Sequence, residues 1–525
     1  MSRIYKIKIV IFLALLALSG RIFYIAIPKG EHLAKQAVMQ RTEKIPIKTM
    51  RGIIYDREMR AITEGQCNLH AAVVLQECAD KTEAARLIGH PFTDDDIQVF
   101  ALNAVTEQQA KLVKMKGVSL FNVSSRYNQN GMLSHVIGYT SDSGGFGIEQ
   151  AFNDELTIQD SDSISMIKNA NKKMMTGLGY NKVSKKTYKG IGLSIDYHIQ
   201  AAAEKAMDKA TESGAAIVVD VRTGDILAMV SRPNFNQTQL AKYLLSDEGE
   251  FINRAVTSYD AGSVFKVVLA AAALEEGYYT GKSVFSCTGS TDVYGKEFLC
   301  NELQGHGSIS LEQGFALSCN SVFYSIGQKL GAENICKYAK KFGMSKPVLN
   351  IDGFWESGGN IPESANVWET ANISIGQGAI SVTPLQVADM FCTIANEGLR
   401  KQLVLMRGTV DEDGAFTETS VESPHRVLSK STAKALQGML KAVVESGTGS
   451  NAKLDNWGAA GKTGSAQTGW EKDGELMVHG WFGGFFPADL PQYVCVVLSQ
   501  NGKSGALSAA PVFKEIGEEI MRLKY

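Results

Sequence analysis

Ala215-Ala216-Ile217-Val218-Val219-Asp220, Arg222-Thr223-Gly224-Asp225 and Ile226-Leu227-Ala228-Met229-Val230 form one signal: two apolar runs around a turn that contains glycine. Short apolar runs bounded by turn residues read as a β-hairpin. Its surroundings set the fold class. Asp196 to Ser213, just upstream, reads as a helix with Ala201-Ala202-Ala203 inside it. Downstream, helical patterns dominate at Val264 to Gly277, Leu311 to Leu330, Thr383 to Glu397 and Ser431 to Val444. Strand character returns at Gly480 to Phe486 and Tyr493 to Ser499, before a last helix from Pro511 to Leu523. Strands at both ends with helices between predict an α+β layer fold. Its antiparallel sheet is built from both ends of the domain.

Toward the N-terminus, Pro28 to Lys186 is mixed. Met50-Arg51-Gly52-Ile53-Ile54-Tyr55-Asp56-Arg57 reads as a short strand entering a turn, and Lys81 to Ile88 and Glu107 to Lys116 as helices. Gly144-Gly145-Phe146-Gly147-Ile148-Glu149 reads as a loop opening a helix from Ile148 to Leu156. Asn169 to Lys189 is polar and basic, which predicts exposed connecting structure. At the terminus, Arg3, Lys6 and Lys8 precede an uncharged run from Ile9 to Gly20, and apolar character resumes at Ile22 to Ile27. Roughly 20 apolar residues cross a bilayer, and Arg21 near the outer end can snorkel. The basic flank predicts a cytoplasmic N-terminus with the rest exported. The rival is a cleaved signal peptide, with Ala17-Leu18-Ser19 as a poor cleavage site; the resumption after Arg21 favours an uncleaved anchor.

A chain of 525 residues predicts more than one domain. Its 44% hydrophobic and 21% charged content supports a sizeable globular core. A formal net charge of -2 gives no electrostatic footprint for nucleic acid.

Three short motifs stand in one order: Ser263-Val264-Phe265-Lys266, Ser318-Cys319-Asn320 and Lys462-Thr463-Gly464. Singly they are weak. Ser-x-x-Lys recurs at Ser165/Lys168, Ser431/Lys434 and Ser450/Lys453, Ser-x-Asn at Ser364/Asn366 and Ser499/Asn501, and a looser third motif at Lys503-Ser504-Gly505. Order and context carry the weight. Ser263 follows Asp260-Ala261-Gly262 and opens an apolar helix, on which a lysine three residues later can reach its hydroxyl. A free hydroxyl is a poor nucleophile and needs a base. Lys266 must be neutral to serve, and desolvation together with a second cation, Lys462, lowers its pKa. Ser318 can relay a proton to a leaving amine and Asn320 can hold a substrate amide. Lys462-Thr463-Gly464 lies in a stretch of small residues whose edge can pair with a peptide, and Lys462 attracts a carboxylate. Backbone N–H groups of Ser263 and Ser465 form an oxyanion hole in this scheme. A phosphate loop fails, because position 456, where its leading glycine belongs, is Asn456.

These motifs resemble those of the class B penicillin-binding proteins, and the resemblance covers nearly the full length. Arg51-Gly52-Ile53-Ile54-Tyr55-Asp56-Arg57 and Gly147-Ile148-Glu149 resemble the class B pedestal. Asn253-Arg254-Ala255, Gly376-Gln377-Gly378, Thr383-Pro384-Leu385-Gln386, Gly447-Thr448-Gly449 and Ala460 to Gln467 resemble its transpeptidase domain. Ala261 stands where the family usually has proline, and Glu58-Met59 where Asn-Gly usually follows Asp-Arg. The resemblance implies an anchor over 1–28, a pedestal over 29–188 and a transpeptidase domain over 189–525. It implies a D,D-transpeptidase that needs no cofactor for its chemistry, acts on peptidoglycan stem peptides and is acylated by β-lactams at Ser263. It also implies a cell-membrane protein with its catalytic domain outside, working with a SEDS-type glycan polymerase. A β-lactamase or penicilloyl sensor shares the three motifs, and an inactive wall-assembly scaffold is the non-enzyme alternative.

Of eight cysteines, Cys287, Cys300 and Cys319 fall with His306 in the pattern Cys-x12-Cys-x5-His-x12-Cys. Three sulfurs and one imidazole suit a closed, structural zinc site. Some elongation-type class B proteins resemble this with a similar quartet. A Cys287–Cys300 disulfide or buried free thiols remain open at this point.

Overall fold

The computed structural model describes residues 2–102, 106–128, 130–141, 144–167, 180–183, 187–472 and 475–524. They fall into two compact units whose segments alternate along the chain. The first comprises Met1–Arg51, Gln66–Ser125 and Thr157–Thr187; the second comprises Gly52–Gly65, Arg126–Leu156 and Tyr188–Tyr525.

In the first unit the helix Ser2–Ala26 is exposed along its described length, and its Arg3–Ala26 portion is long and apolar enough to cross a membrane. The strand Thr42–Arg51 pairs antiparallel with Thr157–Ile167, which pairs in turn with Tyr180–Val183. The last strand corrects the expectation of connecting structure over 169–189; the remainder of that stretch up to 186, and Lys168 of one stray motif, lie outside the described residues. A polar segment suits a sheet edge, where it caps a neighbour without inviting another strand.

The second unit is built on a five-stranded antiparallel sheet. Its strands are β1 (Gly214–Asp220), β2 (Ile226–Arg232), β3 (Ala460–Lys472), β4 (Glu475–Phe486) and β5 (Tyr493–Gly502), in the spatial order β2-β1-β5-β4-β3. The hairpin read from the sequence is β1-β2, and the sheet does join both ends of the domain. The apolar runs are unbroken because both faces are covered. Ala216 and Val218 pack with Ile199, Phe482 and Phe513 on one side. Ala215, Ile217 and Val219, of opposite parity, belong to the larger core with Phe391 and Leu440. The first face carries the helices α1 (Tyr197–Ala210) and α6 (Ala510–Lys524). Between them in sequence come α2 (Lys266–Glu275), α3 (Asn320–Lys341), α4 (Val367–Ser374) and α5 (Lys430–Ser446). From Lys266 to Ala273 every residue of α2 is buried, as a helix inside a core must be.

The single helix expected over Leu311 to Leu330 is two: Leu311–Ala316, then α3 from Asn320. Ser318 takes φ +56 between them, and Cys319 is the extended N-cap residue of α3. A left-handed non-glycine residue leaves no compositional trace, which is why the apolar pattern runs on through the break.

The segments Gly52–Gly65 and Arg126–Leu156, grouped by sequence with the pedestal, pack in this second unit. Ile53–Tyr55 pairs parallel with Gly190–Leu193. Asp56 then closes a tight turn, accepting from the backbone N–H groups of Glu58 and Arg60 at 2.9 and 2.8 Å. Met59 sits in that turn at φ +59, where the resemblance leads one to expect glycine. The left-handed region costs a side-chain-bearing residue about 1–2 kcal/mol, while glycine's extra freedom when unfolded returns about 0.5–1 kcal/mol. Met59 is exposed, so little packing is lost. Met59→Gly therefore raises stability by roughly 0.5–1 kcal/mol, read as a higher denaturant midpoint at unchanged slope. By contrast Ala261 has φ -74, close to proline's fixed value, so that departure needs no backbone change.

Candidate active site

Several distant segments of the chain bring the site together. The chain enters it at Asp260, whose carbonyl accepts from the Trp481 indole at 3.0 Å. Gly262 turns at φ +52 and donates its N–H to Gly376 O at 2.9 Å. A Cβ on Gly376 would overlap the Gly262 carbonyl, so the Gly376-Gln377-Gly378 motif lets two backbones touch behind the serine. Gly262–Phe265 is a 3-10 turn rather than the α-helix expected from Val264. In a 3-10 turn residues i and i+3 eclipse, which aligns Ser263 with Lys266.

Lys266 is fully buried, yet its ammonium does not bond the serine. It donates to Ser318 O at 2.7 Å, Ser318 Oγ at 3.2 Å and Asn320 Oδ1 at 2.7 Å. The break at Ser318 turns that carbonyl toward the lysine. Ser263 Oγ has no hydrogen-bond partner among the described residues and is partly exposed. The expected Lys266–Ser263 contact is thus replaced by a lysine seated on the second motif. Burial pushes the Lys266 pKa down to about 7, against the charge of Cys319 and Cys300, which pulls it up. Lys462 is also fully buried, with its ammonium 3.1 Å from Thr463 O. Burial, and then the charge of Lys266, hold its pKa well below the ordinary lysine value. The repulsion between the two ammoniums falls on Lys462; burial is what lowers Lys266, a correction to the second-cation argument.

The third motif forms the start of β3, the edge strand of the sheet, whose outer side has no sheet partner among the described residues. A Cβ on Gly464 would press on Val264 and the Ala261 carbonyl, so glycine there lets the Gly262–Phe265 turn lie against β3. Thr463 Oγ1 lies 2.6 Å from Thr448 Oγ1, tying the strand to Gly447-Thr448-Gly449. Ser263, Ser318, Asn320, Thr463, Gly464 and Ser465 line one cleft of about 820 Å³. Lys266 and Lys462 are buried behind its wall. Thr448, Asn372, Gln377, Gln467, Tyr324 and Lys503 line it too. Thr448, Gln377 and Gln467 lie inside motifs noted in the sequence and Lys503 in the looser copy of the third motif; Asn372 and Tyr324 carry no local signal. The remaining stray copies do not converge on it. Ser431 and Lys434 are on α5, with Lys434 paired to Glu397, while Ser450/Lys453 lies at a 3-10 turn and Asn366 caps α4.

Cys287, Cys300, His306 and Cys319 also meet, with ligand atoms within 4.8 Å of one another. Cys300 Sγ lies 3.7 Å from Cys319 Sγ, and His306 Nδ1 lies 3.5 and 3.6 Å from the sulfurs of Cys287 and Cys300. The sharing of a proton with Cys319 lowers the Cys300 thiol, and the contact raises Cys319. Cys300 lines the catalytic cleft as well.

Residues 214–518 match the family model described as the penicillin binding protein transpeptidase domain. The chain belongs to the penicillin-binding protein transpeptidase family. Within it, this penicillin-binding protein is of class B type, as its relatives are. It is 28% identical to stage V sporulation protein D of Bacillus subtilis over 95% of this chain and 82% of that one. It is 26% identical to the peptidoglycan D,D-transpeptidase MrdA of Acinetobacter baumannii over 98% and 88% of the two chains. In fold it is similar to penicillin-binding protein 3 of Mycobacterium tuberculosis complexed with aztreonam, with a TM-score of 0.66 at 24% identity, covering 92% of this chain and 97% of the other. The penicillin-binding fold accounts for the antiparallel sheet flanked by helices.

Proposed function

We propose that the protein is a serine-type peptidoglycan D,D-transpeptidase. Ser263 Oγ attacks the penultimate D-Ala carbonyl of a stem peptide, D-Ala leaves with the serine's proton, and an ester forms at Ser263. An amine of a neighbouring stem then displaces Ser263 and closes the cross-link. The convergence of three distant motifs on one cleft, with a neutralisable lysine buried between them, carries this reading. Lys266 takes the serine's proton, Ser318 passes it to the leaving amine, Asn320 and Thr463 to Ser465 hold the peptide, and Lys462 draws its carboxylate. The backbone N–H groups of Ser263 and Ser465 stabilise the oxyanion. β-Lactams acylate the same serine, in keeping with the aztreonam complex of the similar structure.

The test is labelling of the full chain with a fluorescent penicillin, mapped by mass spectrometry. A long-lived adduct on Ser263, absent from Ser263→Ala, is expected. Rapid hydrolysis of the penicillin would place the chain with the β-lactamases, and no labelling would make it a scaffold.

The Cys287, Cys300, His306 and Cys319 quartet fits zinc. Tetrahedral zinc at ~2.3 Å from sulfur and ~2.0–2.1 Å from nitrogen sets sulfur–sulfur edges near 3.8 Å and sulfur–nitrogen edges near 3.6 Å; three of the edges here are 3.5–3.7 Å, and all lie within 4.8 Å. No position stays open for a substrate, so a bound metal would brace Cys319, and with it Ser318 and Asn320, against the segment from Cys287 to His306. Elemental analysis of the purified chain should give about one zinc per chain, lost in Cys319→Ala; equal metal in both removes the site.

In this reading residues 1–28 anchor the chain, 29–188 supply the pedestal and 189–525 the catalytic domain, with 52–65 and 126–156 packed in the catalytic unit. The apolar helix and basic flank support a single-pass protein with its catalytic domain outside the cell membrane. A membrane-embedded SEDS-type glycan polymerase is the partner that the class B resemblance supports.

A further inference from the structure

The looser copy of the third motif, Lys503-Ser504-Gly505, is part of the cleft wall. A Cβ on Gly505 would overlap the carbonyls of Gly464 and Trp481, so this loop lies directly on β3 and β4. The Gly505 N–H donates to Ser465 Oγ at 3.1 Å, next to the Lys462-Thr463-Gly464 strand. Both flanks of Lys503 are pinned. Its own N–H donates to Ser508 Oγ at 3.1 Å, and Ser504 Oγ accepts from Leu507 N–H at 3.3 Å. The side chain is left exposed at the cleft, which it lines together with Ser263. Among the described residues no ion pair engages its ammonium, and no aspartate or glutamate lines the cleft. The other two lysines of the site are fully buried and bonded to internal oxygens. Among the described residues the cleft's solvent-facing charge is therefore one cation on a braced loop.

We propose that the Lys503 ammonium receives a carboxylate of the stem peptide and so sets the enzyme's preference for free-acid over amidated substrates. This deepens the transpeptidase reading and rests on it. Two carboxylates share the required chemistry: the C-terminal one of the donor stem, on which the buried Lys462 acts through its field rather than by contact, and a side-chain carboxylate carried earlier in the stem. A charge at a cleft rim acts on encounter and binding and is screened by salt.

The experiment uses the full chain in detergent with three donor peptides: the free acid, its C-terminal amide and its side-chain amide. Release of the terminal residue gives kcat and KM for wild type, Lys503→Gln and Lys503→Arg. Lys503→Gln should lower kcat/KM roughly fivefold, as for one exposed ion pair, through KM and only for peptides that keep the recognised carboxylate. Lys503→Arg should restore it, and about 1 M salt should erase the wild-type advantage. The amide on which wild type and Lys503→Gln agree identifies the carboxylate. An equal loss on all three peptides, or no loss on any, overturns the proposal. Penicillin labelling of wild-type Ser263 is scored alongside. If it fails, the transpeptidase reading falls; if it succeeds while Lys503→Gln is inert, only the carboxylate receptor falls.

Discussion

Lys266→Met should leave a folded protein that scarcely acylates Ser263. Methionine fills the space of the lysine stem, so the core around α2 keeps its packing. The base is gone, and general-base catalysis contributes about 10²–10⁴-fold. A loss of about 10³ in the acylation rate constant is the expected result, with the thermal midpoint moved by only a few degrees. Lys266→Arg should fail as badly, because a guanidinium does not give up its proton. The wild-type rate carries a matching signature. With the folded pKa near 7, Lys266 is mostly charged at pH 5 and mostly neutral at pH 9. Acylation should therefore rise with pH through about 7 and level off above it. A profile flat from pH 5 to 9, or a Lys266→Met variant within tenfold of wild type, would remove Lys266 from the role of base.

Glu149→Ala should be the most damaging single change away from the cleft. Glu149 is fully buried and lies 2.6 Å from Arg126 Nε, while an Arg126 terminal nitrogen donates to Gly52 O at 2.6 Å. This one guanidinium joins the two pedestal-like motifs, at Gly52 and at Glu149. Removing the carboxylate leaves the buried guanidinium only its longer contact with Glu64, at 3.7 Å, which costs about 3 kcal/mol, the low end for breaking a buried pair. For a unit of this size that lowers the thermal midpoint by roughly 4 °C. Glu149→Gln keeps a hydrogen bond and should lose less. A midpoint within 2 °C of wild type for Glu149→Ala would show that solvent reaches the pair.

Much of the fold could be read from residues whose role is local. The β1-β2 hairpin announced itself through Ala215 to Val219 and Ile226 to Val230, because a strand covered on both faces needs an unbroken apolar run. The helix caps at Asp196 and Thr383 likewise sit where side-chain chemistry puts them. What the sequence hid depends on contacts between distant segments. Nothing near Ser318 marks its left-handed backbone, and only the fold reveals that its carbonyl turns onto Lys266. The packing of 52–65 and 126–156 with the C-terminal part is equally non-local, fixed by Ile53–Tyr55 against Gly190–Leu193 and by the Leu133 N–H on the Glu204 carboxylate at 2.9 Å. Lys503 looked like a stray motif because its loop approaches Gly464 only through the sheet. The cleft's three lysines could be counted in the sequence, but which of them faces water could not.

The strand order has a consequence in time. β5 lies between β1 and β4, pairing Gly214 with Ser499 and Asp220 with Tyr493 on one side and Phe486 with Tyr493 on the other. Without it the sheet is two separate hairpins, one of them carrying Lys462. A polypeptide that emerges N-terminus first must wait, with β1 and β2 already made, for a strand far downstream of them to arrive. Such long-range closure is slow and leaves bare strand edges open to wrong partners. The same order bears on the site: the Ser263 turn meets β3 directly at Gly464, but until β5 is in place nothing in the sheet holds that strand, with Lys462, to the β1-β2 hairpin.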